Sequence, residues 1–153
     1  MTDISPSSRR GQPRRHVTLA LLSARDEVLV FRSATSERFT LPYIAVAWQA
    51  DEQALGTALT QLRHDLLQET TSAEPSAWLG RFAAPAADSG RLDILEVYVA
   101  RLGEARLHPE MTASSAWAPL RTAPPEDTID PAIELQIMPA LALLMQDSDA
   151  STF

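Results

Sequence analysis

The apolar positions of this chain change period along its length, and each change marks an element. His16-Val17-Thr18-Leu19-Ala20-Leu21-Leu22 is a run rich in strand formers, and Val28-Leu29-Val30-Phe31 resumes it after polar Ser23–Glu27. Two such runs around a short polar loop predict a β-hairpin. Arg32 to Arg38 reads as a polar connection. It leads into an extended stretch, Phe39–Trp48, whose Pro42 confines its start to an edge or bend. From Ala54 the period lengthens. Leu55, Ala58, Leu59, Leu62, Leu66 and Leu67 recur at spacings of three and four, predicting an amphipathic helix over Ala54–Thr70. Asp51 and Glu52 place negative charge at the positive end of its dipole, and Pro75 predicts a stop near Thr70–Ala73.

Beyond that helix, Ala77–Phe82 and Leu92–Ala100 predict strands, the second dense in Ile, Val and Tyr. A turn at Gly103, a short run to Leu107 and the segment Ser115–Leu120 follow. Pro131 suits the first turn of a closing helix through Ile133, Leu135, Ile137, Leu141 and Leu144, which Pro139 should kink or split. Strands, helix, strands, helix is the order of an α+β domain built on a mixed sheet.

Composition narrows the class. A chain of 153 residues suits one globular domain with its own core. Without Cys there is no disulfide framework, thiolate zinc site or cysteine nucleophile. Without Lys, all 13 basic residues being Arg, Schiff-base chemistry and a Walker-type phosphate loop are excluded. The missing Lys and Asn read as codon bias. No G-x-S-x-G is present to support Ser-His-Asp catalysis.

The net charge of −7 is uneven. Residues 1–16 hold four Arg against Asp3, so they carry +3 and the remainder −10, while residues 124–153 hold six acids and no base. The expected organisation is a flexible Arg-rich leader over 1–15, one domain over 16–146 and a flexible tail over 147–153. Four Arg beside an acidic body are a weak electrostatic footprint, so no nucleic-acid partner is expected. The leader has no apolar region of the signal-peptide kind, and no stretch reaches 18 uninterrupted apolar residues. The expectation is a cytoplasmic protein with no membrane partner.

The order of segments from about His16 to Met145 resembles the Nudix fold, that of hydrolases of nucleoside diphosphates linked to another group. The hairpin Val17–Phe31 followed by Phe39-Thr40-Leu41-Pro42 is similar to the family's first strands and the Leu-Pro before its glycine pair. Trp117-Ala118-Pro119-Leu120 is similar to its aromatic-x-Pro-Leu segment before the final helix. The resemblance implies a mixed β-sheet flanked by helices, an α/β/α sandwich. The Nudix box, G-x5-E-x7-R-E-U-x-E-E-x-G-U with U apolar, is a loop–helix–loop. Its glutamates, a helical turn apart, gather Mg²⁺, which polarises the diphosphate and activates water.

The box can be laid on this chain in two registers. Anchored on Asp51-Glu52, it puts Thr60 at the arginine, Gln61 at the first helix glutamate and His64-Asp65 at the pair. Anchored on Gln68-Glu69-Thr70-Thr71, it puts His64 at the arginine, Asp65 at the first glutamate and Gln68-Glu69 at the pair. The registers differ by about one helical turn, so a one-turn insertion would reconcile them. In both, one carboxylate replaces the pair, the arginine is absent, and Tyr43-Ile44 stand where the family has glycines. Exchanging carboxylates for Gln or His lowers affinity for a hard cation.

Candidate residues follow. Glu52, Asp65 and Glu69 are the candidate metal set, with Mg²⁺ the cofactor if the chain is catalytic; solvated helix carboxylates are the competing reading. His64 reads as a surface histidine. Arg32 and Arg38 flank the loop before Leu41-Pro42, where family members contact substrate, and Arg suits phosphate by its fork. Tyr43 and Trp48 are candidates to stack on a planar ligand; Trp48, beside Gln49, equally suits a dimer interface, so a homodimer stays open. Trp78 and Trp117 read as packing residues.

Three functions stay open: a divergent protein with impaired or lost hydrolysis binding a small phosphorylated or planar ligand, an active atypical Mg²⁺-dependent hydrolase, and a non-catalytic dimeric regulatory module. Fold alone does not choose among them.

Overall fold

The first apolar run is β1 (Arg14–Leu22), which turns at Ser23–Asp26 into β2 (Glu27–Arg32). It begins inside the expected leader, because Arg15 is tied into the sheet by its side chain. The computed structural model describes residues 14–32, 37–68, 76–85, 91–103, 105–125 and 128–150, the side chains of the last four excepted. The expected leader before Arg14 and candidate Glu69 lie outside the described residues. So does the tail beyond Ala150.

The extended stretch around Pro42 is divided into β3 (Phe39–Thr40) and β4 (Tyr43–Val46). Then come α1 (Glu52–Leu66), β5 (Ala77–Pro85), β6 (Leu92–Arg101), the one-turn helix α2 (Pro109–Thr112) and β7 (Ser115–Pro119). The closing helix opens with π-turns over Ile133–Ile137 and continues as α3 (Met138–Ala150), past the domain end expected at 146. The irregular turns directly precede Pro139, which has no N–H for the regular ladder.

The described strands form one mixed sheet. β1 lies parallel to β6 along its whole length, Arg14 facing Asp93 and Leu22 facing Arg101. On its other edge β1 pairs with β2 only at Leu22 and Val28, and β4 takes over beside Arg15–Thr18. β2 carries β7 and β3, and β5 closes the far edge on β6. The central strands are covered on both faces and therefore read as continuous apolar runs. Val17, Leu19 and Leu21 meet Leu55, Ala58, Leu62 and Leu66 of α1, while Ala20 and Leu22 meet Ile133, Ile137, Met138 and Leu141 of the closing helix.

The expected helix over Ala54–Thr70 is corrected at both ends. It starts at Glu52 because the Asp51 side chain accepts the Ala54 N–H at 2.9 Å, an N-cap. It stops at Leu66, and the burial of Leu67 comes from a contact made outside the helix. Leu67 is extended instead and bridges to Leu107, while the Gln68 N–H donates to Arg106 O at 2.7 Å.

Candidate functional site

The flank of α1 that carries Gln61 and Asp65 faces solvent. The Gln61 amide donates to Asp65 Oδ1 at 2.8 Å, an i, i+4 pair, and His64 is exposed beside them. Glu52 lies thirteen positions before Asp65, roughly 20 Å along the helix axis, too far to share an ion. Among the described residues no three His, Asp or Glu side chains come together as a metal site.

The four ligand candidates are also dispersed. Arg32 ends β2 with its guanidinium 5.5 Å from the Phe39 ring centroid. Arg38 is half-buried and engaged just before β3. Tyr43 is exposed at the start of β4 and stands edge-on to His16, centroids 4.8 Å apart. Trp48 is exposed in the turn after β4 and offers its carbonyl to Arg15. Tyr43 and Trp48 therefore belong to two different polar groups, neither of which the candidate list captured.

The first group lies on the closing-helix face. His16 and Thr18 of β1 are 7% and 2% exposed, and neither His16 Nδ1 nor Thr18 Oγ1 has a hydrogen-bond partner among the described residues. His16 Nε2 stands 3.6 Å from Asp93 Oδ2, and Arg91 Nε stands 3.7 Å from Asp93 Oδ1. Burial pushes the His16 pKa below its ordinary value; Asp93 opposes this, and the charges of Arg14 and Arg91 reinforce it. The imidazole is thus held neutral, with an open ring nitrogen beside an open hydroxyl under an aromatic ring. Two buried polar atoms without a partner among the described residues carry a desolvation cost that nothing described recovers.

The second group lies on the α1 face and is saturated. Glu96 of β6 is 1% exposed. Its carboxylate accepts Arg15 Nη2 at 2.7 Å and Nε at 3.0 Å, Arg81 Nη2 at 3.0 Å and Nε at 3.1 Å, and the Trp78 indole N–H at 3.4 Å. Arg15 spends its third nitrogen on Ala50 O at 2.7 Å and Trp48 O at 3.1 Å, fixing the loop that enters α1. Burial alone would raise the Glu96 pKa, but the hydrogen bonds and charges of Arg81 and Arg15 outweigh it and hold the carboxyl below its usual range. A β-bulge between Trp78 and Gly80 brings Trp78 and Arg81, three residues apart, to one face. One signal of this group was available in the sequence: Glu96 is an acid flanked by Ile94-Leu95 and Val97-Tyr98-Val99 in an apolar strand, and such a charge needs a partner.

Solved structures supply the comparison. A MutT NUDIX hydrolase from Burkholderia pseudomallei is similar over 86% of this chain and 97% of its own, with a TM-score of 0.54 at 21% identity. The NUDIX domain of Shewanella oneidensis NrtR, complexed with ADP ribose, is similar over 94% of each chain, with a TM-score of 0.61 at 14% identity. A MutT protein from Methanosarcina mazei Go1 reaches a TM-score of 0.59 over 90% of this chain and 96% of its own at 14% identity. The chain has the Nudix fold. No protein-family model matches it, and no curated protein matches it in sequence.

Within the Nudix fold, α1 is the helix on which the box is laid, and its limits bear on the two registers. Anchoring on Asp51-Glu52 keeps Thr60, Gln61, His64 and Asp65 on the helix. The alternative needs Gln68 and Glu69 there as well, but Gln68 follows the extended Leu67. Gln68 thus lies beyond the helix, and Glu69 lies outside the described residues.

Proposed function

We propose that this chain is a divergent Nudix-fold protein in which hydrolysis of nucleoside-diphosphate-type substrates is impaired or lost. It binds a nucleotide-like or other small planar ligand on the closing-helix face, at His16, Thr18 and Tyr43. The observation carrying this reading is the contrast between the two candidate sites. On α1 the one described carboxylate at the positions of the box's helix glutamates, Asp65, is engaged by Gln61, and Glu52 lies too far along the helix to share an ion with it. Beneath Tyr43, two buried polar atoms await a partner.

The NrtR domain was solved with ADP ribose, which makes that molecule the natural first probe. ADP ribose is expected to raise the melting temperature without added metal. His16→Ala should abolish the shift and Asp65→Ala should preserve it. Mg²⁺-dependent turnover of ADP ribose that disappears in Asp65→Ala would overturn this reading in favour of an active atypical hydrolase.

A further inference from the structure

The two flanks of α1 differ. Gln61 and Asp65 lie on one. On the other, Glu52, Gly56, Leu59 and Arg63, spaced by four, three and four, form a single stripe. That stripe faces β5, because the Arg63 guanidinium donates to Ser76 Oγ at 2.7 Å just before the strand. Tyr98, directly opposite Trp78 in the sheet, lies on the same side, within the field of Glu52. That stripe and the exposed side chains Trp78 and Arg81 of β5 thus border a strip of sheet carrying Tyr98 and Glu96, a trough defined by its two edges.

Three features give this trough a chemistry. Trp78 is 57% exposed, and its ring orientation is set by the indole N–H on Glu96. The Arg81 side chain is 60% exposed; Glu96 holds its Nε and Nη2, and Nη1 has no partner among the described residues. The guanidinium is thus fixed on one edge and open on the other. Gly56 stands in the middle of a helix, where Gly costs about 1 kcal/mol relative to Ala, and no described atom lies within 4 Å of where its Cβ would be. The inner wall is therefore bare backbone. Two guanidiniums, Arg15 and Arg81, meet the one carboxylate of Glu96 in a chain of net charge −7, and Asp51 is committed to its helix cap.

We propose that this trough is a second binding site, taking a planar aromatic that carries one anionic group. The ring stacks on Trp78 against the bare backbone at Gly56, and the anion meets the open edge of Arg81. Glu96 lowers the ordering cost by holding both side chains in place beforehand. The site is separate from the His16–Thr18 face, since it lies across the sheet.

The test uses AMP and salicylate, which present the same chemistry as a phosphate and as a carboxylate, titrated into the ¹⁵N-labelled chain. The three Trp indole N–H signals are assigned with Trp78→Phe. Either probe should shift the Trp78 signal with saturation, and which one does identifies the anion. Arg81→Gln, which leaves the Arg15–Glu96 pair intact, should weaken binding about tenfold or more, the order expected for losing one charge-assisted contact. Gly56→Leu should do the same by filling the trough, with a melting temperature no lower than the parent's. The proposal is overturned if neither probe moves the Trp78 signal, if Arg81→Gln binds as well as the parent, or if His16→Ala abolishes the shift.

Discussion

Asp93 and Glu96 lie three residues apart on β6 and so point to opposite faces of one sheet, where they meet opposite treatment. Glu96 is met by two guanidiniums and an indole, and its neighbourhood ties β1, β5, β6 and the loop before α1 into one unit. Around Asp93, His16 Nδ1 and Thr18 Oγ1 lack partners among the described residues although both residues are buried. A polar group closed on itself fixes geometry, whereas one left open keeps its desolvation cost unrecovered until something else binds. On this sheet the closed group fixes the side chains around it, whereas the other leaves buried polar atoms unmatched.

The contrast can be broken most forcefully at Glu96. Glu96→Ala leaves Arg15 buried without its counter-charge and should destabilise the chain by about 3 kcal/mol in urea titration. Arg81→Ala, which removes only the exposed partner, should cost much less than Glu96→Ala. Equal losses would show that the group is not organised around the buried pair. Across the sheet the sign should reverse. Thr18→Val removes an unpartnered buried hydroxyl and should stabilise the free chain by up to about 1 kcal/mol while weakening ADP ribose binding. A loss of stability instead would mean the hydroxyl is satisfied in solution.

The two groups should also separate by pH. His16 has a folded pKa below its ordinary 6.5, so the unfolded chain takes up its proton first as pH falls. Its contribution is complete above about pH 6.5 and declines below it as pH falls toward the folded pKa. Glu96, held below its ordinary 4.5, contributes above that value and loses its share only as pH falls through its folded pKa. Urea midpoints between pH 7.5 and 5.5 should therefore drop in the parent chain and stay nearly level in His16→Phe.

Much of the fold could be read from apolar periodicity. The hairpin residues Val17–Leu22 and Val28–Phe31, the strand Leu92–Ala100 and the helix opening at Pro131 stand where the pattern placed them, because each buries one or two continuous faces. The end of α1 was not legible, since Leu66 and Leu67 satisfy a helical pattern until Leu107, forty residues later in the chain, pairs with Leu67. Arg15 looked like part of a polar leader for the same reason: its partner Glu96 is 81 residues away. The acid at 96 was visible as an anomaly, but the bulge that turns Arg81 toward it has no local signature beyond Gly80.

The parallel pairing of β1 with β6 has a consequence during synthesis. Asp93 follows its partner Arg14 by 79 positions. At about 5–20 residues per second, β1 leaves the ribosome roughly 4–16 s before β6 exists to pair with it. Through that interval the most apolar strand of the chain has β2 at Leu22 and β4 along its first half, and its other edge is open. That edge is where a chaperone would act on this protein, and where a stalled nascent chain would be most exposed to aggregation.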